Sequence, residues 1–186
     1  MSIKEEKNLQ QIDKTNLFHP ITNLKTHTSE DVLILDRGEG IYVYDKQGKK
    51  YLEGLAGLWC TSLGYGVKEL GEAASEQMTK LGYSSLFTSK SHEPAILLAE
   101  KLIEMSPFEK GKVFFGNSGS DANDTQLKLY TYYNNALGNN SKKKIISRIK
   151  GYHGVTVASA SMTGLPAQHK LFDFCLLYTS PSPRDY

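Results

Sequence analysis

The stretch 112–136, KVFFGNSGSDANDTQLKLYTYYNNA, decides the fold of this chain. Its first four residues, Lys112 followed by three apolar residues, predict a short strand, residues 116–120 form a loop of small residues, and residues 121–136 have helical apolar spacing. Residues 144–147 predict the next strand. Strand, loop, helix and strand in this length form a βαβ unit, which places helices over a parallel sheet and predicts an α/β fold.

The loop at residues 116–120 offers the chemistry of an anion site. A helix N-terminus has free backbone N–H groups and the positive end of the helix dipole, which together favour a phosphate. Ser118 and Ser120 add hydroxyl donors, and Gly119 allows close approach of an anion to the backbone. No Gly-Lys-Ser/Thr follows, so the loop is not a P-loop. On these residues alone, a serine N-cap beside an incidental glycine explains the loop equally well.

Upstream of this unit, β-rich runs at 32–35, 41–44 and 50–52 alternate with turn residues and predict a small antiparallel meander. A weak helical pattern precedes them within residues 2–17. Two further helices are expected at 67–81 and from Glu93 to about Ser106, because apolar residues recur there at helical spacing. We expect both to face a core, which is the usual role of such apolar stripes.

Composition is that of an ordinary globular protein: 186 residues, 39% hydrophobic, 23% charged, with a net charge of +2. The basic run 142–144 follows a loop and is interpreted as solvated, so neither nucleic acid nor a membrane is an expected partner. Cys60 and Cys175 give no disulfide framework and no metal-ligand spacing, and we expect no metal. No signal-like segment opens the chain, so the expected location is the cytoplasm.

Three sequence blocks, taken together, resemble one known family. FGNSGSDANDTQLKL at 115–129, GYHGVTVASASMTG at 151–164 and GLAGLWCTSLGYG at 54–66 are similar, in order and spacing, to class III aminotransferases. These are fold-type I enzymes that use pyridoxal 5′-phosphate (PLP), and the resemblance is to their ω-transaminase-like branch. It runs from about Phe18 to Phe174.

The resemblance implies a domain organisation and a partner. Residues 1–53 would be the N-terminal segment with the meander of the small domain. Residues 54–174 would begin the PLP-binding large domain, a mainly parallel sheet flanked by helices. The full-length parent would be a homodimer acting on an amine or amino acid and a keto acid or aldehyde.

The resemblance also assigns cofactor-binding residues. Gly119 would bind the cofactor phosphate through its backbone N–H and Ser120 through its hydroxyl, beside Ser118. Tyr152 would stack on the pyridine ring, and His153 would support the loop without acting as an acid or base.

The substrate pocket is assigned in the same way. Leu58 and Trp59 match residues that wall the pocket, and Phe87 matches a segment that reaches the partner subunit's site. Two positions depart from the family pattern. Asp121 replaces the usual Glu and keeps its charge, whereas Leu86 stands where some relatives have Phe, which leaves substrate preference open.

PLP chemistry requires a lysine and a carboxylate that pairs with the pyridinium nitrogen. No lysine of this chain resembles the family's lysine motif, so no catalytic residue is nominated and the fragment is expected to be inactive alone. Other class III PLP chemistry, such as racemisation or decarboxylation, stays open. A phosphate-binding domain without PLP is a further alternative.

The last residues, 175–186, are expected not to be native. CLLYTSPSPRD at 175–185 is similar in every residue to the translation of a transposase-type sequencing adapter. The chain is therefore interpreted as a truncated N-terminal fragment of a larger enzyme.

Overall fold

A computed structural model describes residues 8–170 and Phe172. The tail interpreted as adapter-derived, residues 175–186, lies outside the described residues. The chain divides into two compact units, Met1–Ser91 and His92–Tyr186. The boundary between small and large domain that we expect after residue 53 stays a prediction.

The first unit opens with two short helices, α1 at Leu9–Asn16 and α2 at Leu24–His27. Each begins at an asparagine N-cap: the side chains of Asn8 and Asn23 accept hydrogen bonds from the first backbone N–H groups of their helices. The helix predicted near the N-terminus is therefore confirmed over α1.

A three-stranded antiparallel sheet follows, in the order β1 (Leu35–Glu39), β2 (Tyr42–Asp45) and β3 (Lys50–Leu52). The predicted meander is confirmed, but its first strand begins three residues later than predicted. The reason lies at Gly40, whose positive φ of 55° makes it a turn residue and lets β1 pair up to Glu39.

A buried carboxylate, that of Asp45, holds the hairpin formed by β2 and β3. Asp45 accepts hydrogen bonds from the backbone N–H groups of Gln47 and Lys49, each at 2.9 Å, and from the Tyr51 hydroxyl at 2.8 Å. The hydrogen bond from Tyr51 and those from the backbone outweigh burial and lower the pKa of Asp45.

The unit continues with a four-residue turn, α3 (Ala56–Trp59), and a long helix, α4 (Lys68–Leu81). The second unit contains α5 (Glu93–Met105), α6 (Gly119–Ala136) and α7 (Val157–Met162). These bounds confirm the predicted helices over α4, α5 and α6, the last beginning two residues earlier than expected. No helix in the described part of the chain is long and apolar enough to cross a membrane.

Two expectations for the second unit are wrong. Residues 112–115 and 144–147 are not strands, and the described residues of this unit contain no sheet. A strand in a parallel sheet takes its hydrogen bonds from its neighbours. The described residues pair no neighbouring strand with either segment, so the βαβ unit lacks its ladder.

The apolar stripes of α4 and α5 also differ from expectation. Neither helix has a buried residue, although both were expected to face a core. The described residues do not cover these faces. Their large exposed side chains are Leu70, Met78, Leu81, Ile96, Leu97, Leu98, Leu102 and Met105.

Candidate functional site

The N-terminus of α6 is built by Ser118. This N-cap residue has an extended backbone, and its Oγ accepts a hydrogen bond from the Asp121 N–H at 3.1 Å. Its carbonyl oxygen accepts from the Ala122 N–H at 3.0 Å. The Asp121 carboxylate in turn accepts from the Asn117 N–H at 3.0 Å, which fixes the loop before the helix.

Two donors at this helix end stay free. Among the described residues, neither the Gly119 N–H nor the Ser120 N–H donates a hydrogen bond. A Cβ placed on Gly119 would meet nothing within 4 Å, so the space beside it is open. The helix therefore has two N–H groups at the positive end of its dipole that are unpaired among the described residues, with open space beside Gly119.

Residues 151–155 cross this helix end. The Ser120 Oγ accepts a hydrogen bond from the Val155 N–H at 3.1 Å, and the Asn123 side-chain amide donates to the His153 carbonyl at 2.6 Å. The structure thus brings Ser118, Gly119 and Ser120 together with the segment that carries Tyr152 and His153. The Tyr152 side chain is exposed.

Gly154 makes the close approach possible. Its φ is +125°, and a Cβ there would lie 2.5 Å from the Ser159 Oγ and closer still to the Ser120 Oγ. Both conditions exclude any other residue without rearrangement. We call residues 118–124 together with residues 151–163 the α6–α7 crossing.

A polar network that the sequence did not indicate holds this crossing. The Asp124 carboxylate accepts hydrogen bonds from the Thr156 hydroxyl at 2.8 Å and from the Ser159 N–H at 3.0 Å, and so caps α7 from another helix. The Thr163 hydroxyl accepts from the His153 N–H at 2.9 Å and donates to the Gly154 carbonyl at 3.1 Å. Ser159 and Thr163 are 0% and 1% exposed.

One signal could have revealed part of this network. Ser120, Asn123 and Asp124 follow one another at i, i+3 and i+4, so they share one face of α6 and a polar face there has to meet polar partners. His153 is held through its backbone, and its buried Nε2 has no hydrogen-bond partner among the described residues.

The predicted substrate-pocket residues lie in the first unit, on unusual backbone. Ala56, Leu58 and Trp59 have positive φ angles of 48°, 64° and 70°, as does Gly57 at 59°, so α3 is a left-handed turn. Left-handed helix costs roughly 1–2 kcal/mol per residue other than glycine. Such strain persists only where its surroundings impose it.

Glu53 imposes this turn. Its carboxylate accepts hydrogen bonds from the Leu55 N–H at 2.9 Å and the Gly57 N–H at 2.7 Å, with the Tyr65 hydroxyl at 3.4 Å. The hydrogen bonds from Gly57 and then Leu55 lower the pKa of Glu53. The carboxylate is therefore in its charged, accepting form at neutral pH.

The large apolar side chains on these segments are exposed in the described chain. Trp59 and Phe87 are 80% and 77% exposed, and Leu58 is also exposed. Phe87 begins a second strained turn, in which Thr88 and Ser89 have φ angles of 53° and 64°. Trp59 is thus not a core residue of the described chain.

Comparison with known proteins places the chain among aminotransferases. The family model described as aminotransferase class-III matches residues 25–178. Gamma-aminobutyrate transaminase 1, mitochondrial, of Oryza sativa subsp. indica is 52% identical over 158 residues, which are 84% of this chain and 31% of that protein. Diaminobutyrate–2-oxoglutarate transaminase of Halomonas elongata is 44% identical over 169 residues, 90% of this chain and 36% of that protein.

Solved structures agree with the sequence relatives. The omega transaminase from Pseudomonas jessenii in complex with PMP is 54% identical, with a TM-score of 0.88, over 91% of this chain and 38% of that one. A thermostable omega transaminase variant engineered for the synthesis of enantiopure bulky amines has a TM-score of 0.89 at 53% identity, over 92% of this chain and 38% of that one. The chain spans about a third of the curated relatives' length, and its α/β class, as the first part of a fold-type I transaminase, is confirmed.

Proposed function

This chain belongs to the class III aminotransferases, and we propose that it supplies the cofactor-phosphate site of a PLP-dependent transaminase. The whole enzyme would move an amino group between an amine or amino acid and a keto acid or aldehyde. The observation that carries this proposal is the pair of N–H groups at Gly119 and Ser120 that are unpaired among the described residues, with open space beside Gly119.

The residues at this helix end fit a phosphate. Besides the two N–H groups, the hydroxyls of Ser118 and Ser120 already accept hydrogen bonds from Asp121 and Val155. Each hydroxyl proton therefore stays available to donate to a phosphate oxygen. Hydrogen bonds to a charged acceptor contribute about 1.5–3 kcal/mol each, more than bonds between neutral groups.

Tyr152 and His153 complete the cofactor-binding set. The exposed Tyr152 ring is free to stack on the pyridine ring, and the His153 backbone, held by Asn123 and Thr163, keeps that segment over α6. When bound, PLP supplies an electron-accepting ring. We assign neither the lysine that binds the cofactor covalently nor the carboxylate that pairs with its ring nitrogen to a residue of this chain.

Leu58, Trp59 and Phe87 form the proposed substrate wall. Exposed aromatic side chains on strained turns are suited to contact a ligand, because their backbone is fixed while their apolar area is still uncovered. The whole enzyme would be a homodimer, with Phe87 near the partner subunit's site. A cytoplasmic location is proposed, in keeping with the exposed free thiol of Cys60.

The test uses a whole enzyme that carries this segment. Consumption of an amine donor should be matched one to one by amination of a 2-keto acid, with activity lost on cofactor removal and restored by PLP. Racemisation or decarboxylation of an amino acid with no keto-acid requirement would instead favour the alternative class III chemistry. No PLP dependence would favour a phosphate-binding domain of another kind.

A pair of substitutions at Tyr152 tests the stacking role. Loss of aromatic stacking costs about 1–3 kcal/mol per ring, or roughly 5- to 150-fold in affinity. Tyr152→Ala should weaken PLP retention by an amount in this range, whereas Tyr152→Phe should keep most of it. Equal retention by all three proteins would contradict the assignment of Tyr152.

A further inference from the structure

Three metal-binding side chains meet in the N-terminal segment, in a group that the sequence spacing did not indicate. The Asp13 Oδ1 lies 3.0 Å from the His19 Nε2 and 3.0 Å from the His27 Nε2. One ligand atom from each residue lies within 4.8 Å of the other two. Among the described residues, this is the one group of three such side chains.

The three side chains are partly shielded from solvent and come from three places. Asp13 lies on α1, His19 follows that helix, and His27 is the last residue of α2. Their side chains are 14%, 27% and 13% exposed, in that order. The two imidazole rings lie with centroids 4.3 Å apart and planes tilted by 48°.

The backbone around the group is held in place. The Gln10 side chain on α1 donates to the Val32 carbonyl at 2.6 Å and accepts from the Val32 N–H at 2.8 Å. This pair of hydrogen bonds ties α1 to the chain just before the β-sheet. The Asn23 cap fixes the start of α2, so hydrogen bonds of the chain itself hold both helices that carry these side chains.

The spacing is close to that of a metal site. With metal–ligand distances of about 2.0–2.1 Å, neighbouring ligand atoms of a tetrahedral ion lie about 3.3–3.4 Å apart. The two carboxylate–imidazole distances need to open by only a few tenths of an ångström.

We propose that Asp13, His19 and His27 bind one divalent transition-metal ion of the zinc type. Two imidazoles and one carboxylate suit Zn²⁺, with water in the fourth position, and disfavour Mg²⁺ or Ca²⁺, which take oxygen ligands. The ion replaces the two hydrogen bonds to Asp13. The imidazole rings of His19 and His27 each release the Nε2 proton to solvent and take a proton from solvent on Nδ1. The number of protons on each ring is therefore unchanged. The bound ion clamps α1 to α2.

The test is a metal titration of the 186-residue chain, purified without a histidine tag and carrying Cys60→Ser and Cys175→Ser to remove both thiols. Zn²⁺ binding is measured by calorimetry, and Co²⁺ binding by the visible absorption of tetrahedral cobalt. We expect one equivalent of each ion to bind, and Mg²⁺ not to compete.

Variants locate the ion. Loss of groups that merely support a ligand costs about 10- to 100-fold in metal affinity, so removal of a ligand in Asp13→Asn or His27→Gln should cost about 100-fold or more. The matched control Asp31→Asn removes an exposed carboxylate of the same segment and should bind like the parent. Equal weakening by the control, or no weakening by either ligand variant, would overturn the proposal.

X-ray absorption of the zinc-loaded parent protein gives a second test that does not depend on how the variants fold. Two nitrogen ligands at about 2.0–2.1 Å and oxygen at about 2.0–2.2 Å are expected. Fewer than two imidazoles in the ligand shell would overturn the site, as would failure of the parent protein to bind either ion.

Discussion

The α6–α7 crossing and the left-handed turn of α3 carry two halves of the proposed chemistry, and they are built in opposite ways. In the crossing, Asn123, Asp124 and Thr163 hold the backbone of residues 153–159, and Ser159 and Thr163 are buried, while the Gly119 and Ser120 N–H groups stay unpaired among the described residues. The turn rests on one carboxylate, Glu53, and exposes its large apolar side chains. The crossing is thus held by polar contacts among the described residues, whereas the large apolar side chains of the turn are left uncovered by them.

The largest effect is expected at Gly154. Substitution to alanine places a Cβ on top of two serine hydroxyls at a φ of +125°, and overpacking with backbone strain costs about 2–4 kcal/mol. Denaturant unfolding of the Gly154→Ala chain should show this loss. The control Gly71→Ala lies in α4 with open space around it and should stabilise by about 0.5–1 kcal/mol. Equal stability of the two variants would mean that the crossing is looser than described.

Asp124 tests whether the crossing is held by its polar network. Asp124→Asn weakens two hydrogen bonds to a carboxylate, at a cost of about 1.5–3 kcal/mol. Hydrogen exchange should then quicken at the α7 amides and not at those of α4. Lys128→Gln, an exposed change on the same helix, should stay within about 0.5 kcal/mol of the parent. Unchanged hydrogen exchange in α7 would show that Asp124 does not hold the crossing.

A smaller, pH-dependent effect is expected at Glu53. Because its pKa is lowered in the folded chain below the ordinary value of 4.5, its contribution is fully present above pH 4.5 and is lost as pH falls through the folded pKa. The protection of the Leu55 and Gly57 amides, measured against their intrinsic exchange rate at each pH, should fall over that acidic range. In Glu53→Gln, the protection of these two amides should be weaker at neutral pH. It should also no longer change over the acidic range. A Glu53→Gln chain with the parent's pH profile would show that another group holds the turn.

The helices were more predictable than the rest of the fold. Apolar spacing located the ends of α4 and α5 almost to the residue. Helix hydrogen bonds join residues close in sequence, so a periodic run of apolar residues is enough to mark a helix. Residues 112–115 have the composition of a strand, yet strand pairing depends on neighbours distant in sequence, which composition does not specify.

The sites show the same division. The helix start at Ser118 was predictable, because a small-residue loop before a helix is a local pattern, while the phosphate role of Ser118, Gly119 and Ser120 stays a prediction. Asp124 and Thr163 were not, since each acts through partners about 10 to 35 positions away. The left-handed turn at Leu58 and Trp59 was hidden too, because those residue types normally avoid positive φ.

The central claim, that the α6 N-terminus binds the cofactor's phosphate, is tested most directly by comparing PLP with pyridoxal, which lacks the phosphate. In a whole enzyme carrying this segment, Ser120→Ala should weaken PLP binding by about 1.5–3 kcal/mol, or roughly 10- to 150-fold. Its affinity for pyridoxal should fall much less, by no more than the lost Val155 hydrogen bond transmits to the Tyr152 segment. Ser161→Ala, which removes a half-buried α7 hydroxyl that donates to the Val157 carbonyl, should bind both like the parent. Equal weakening of PLP and pyridoxal by Ser120→Ala, or no weakening of either, would contradict the claim.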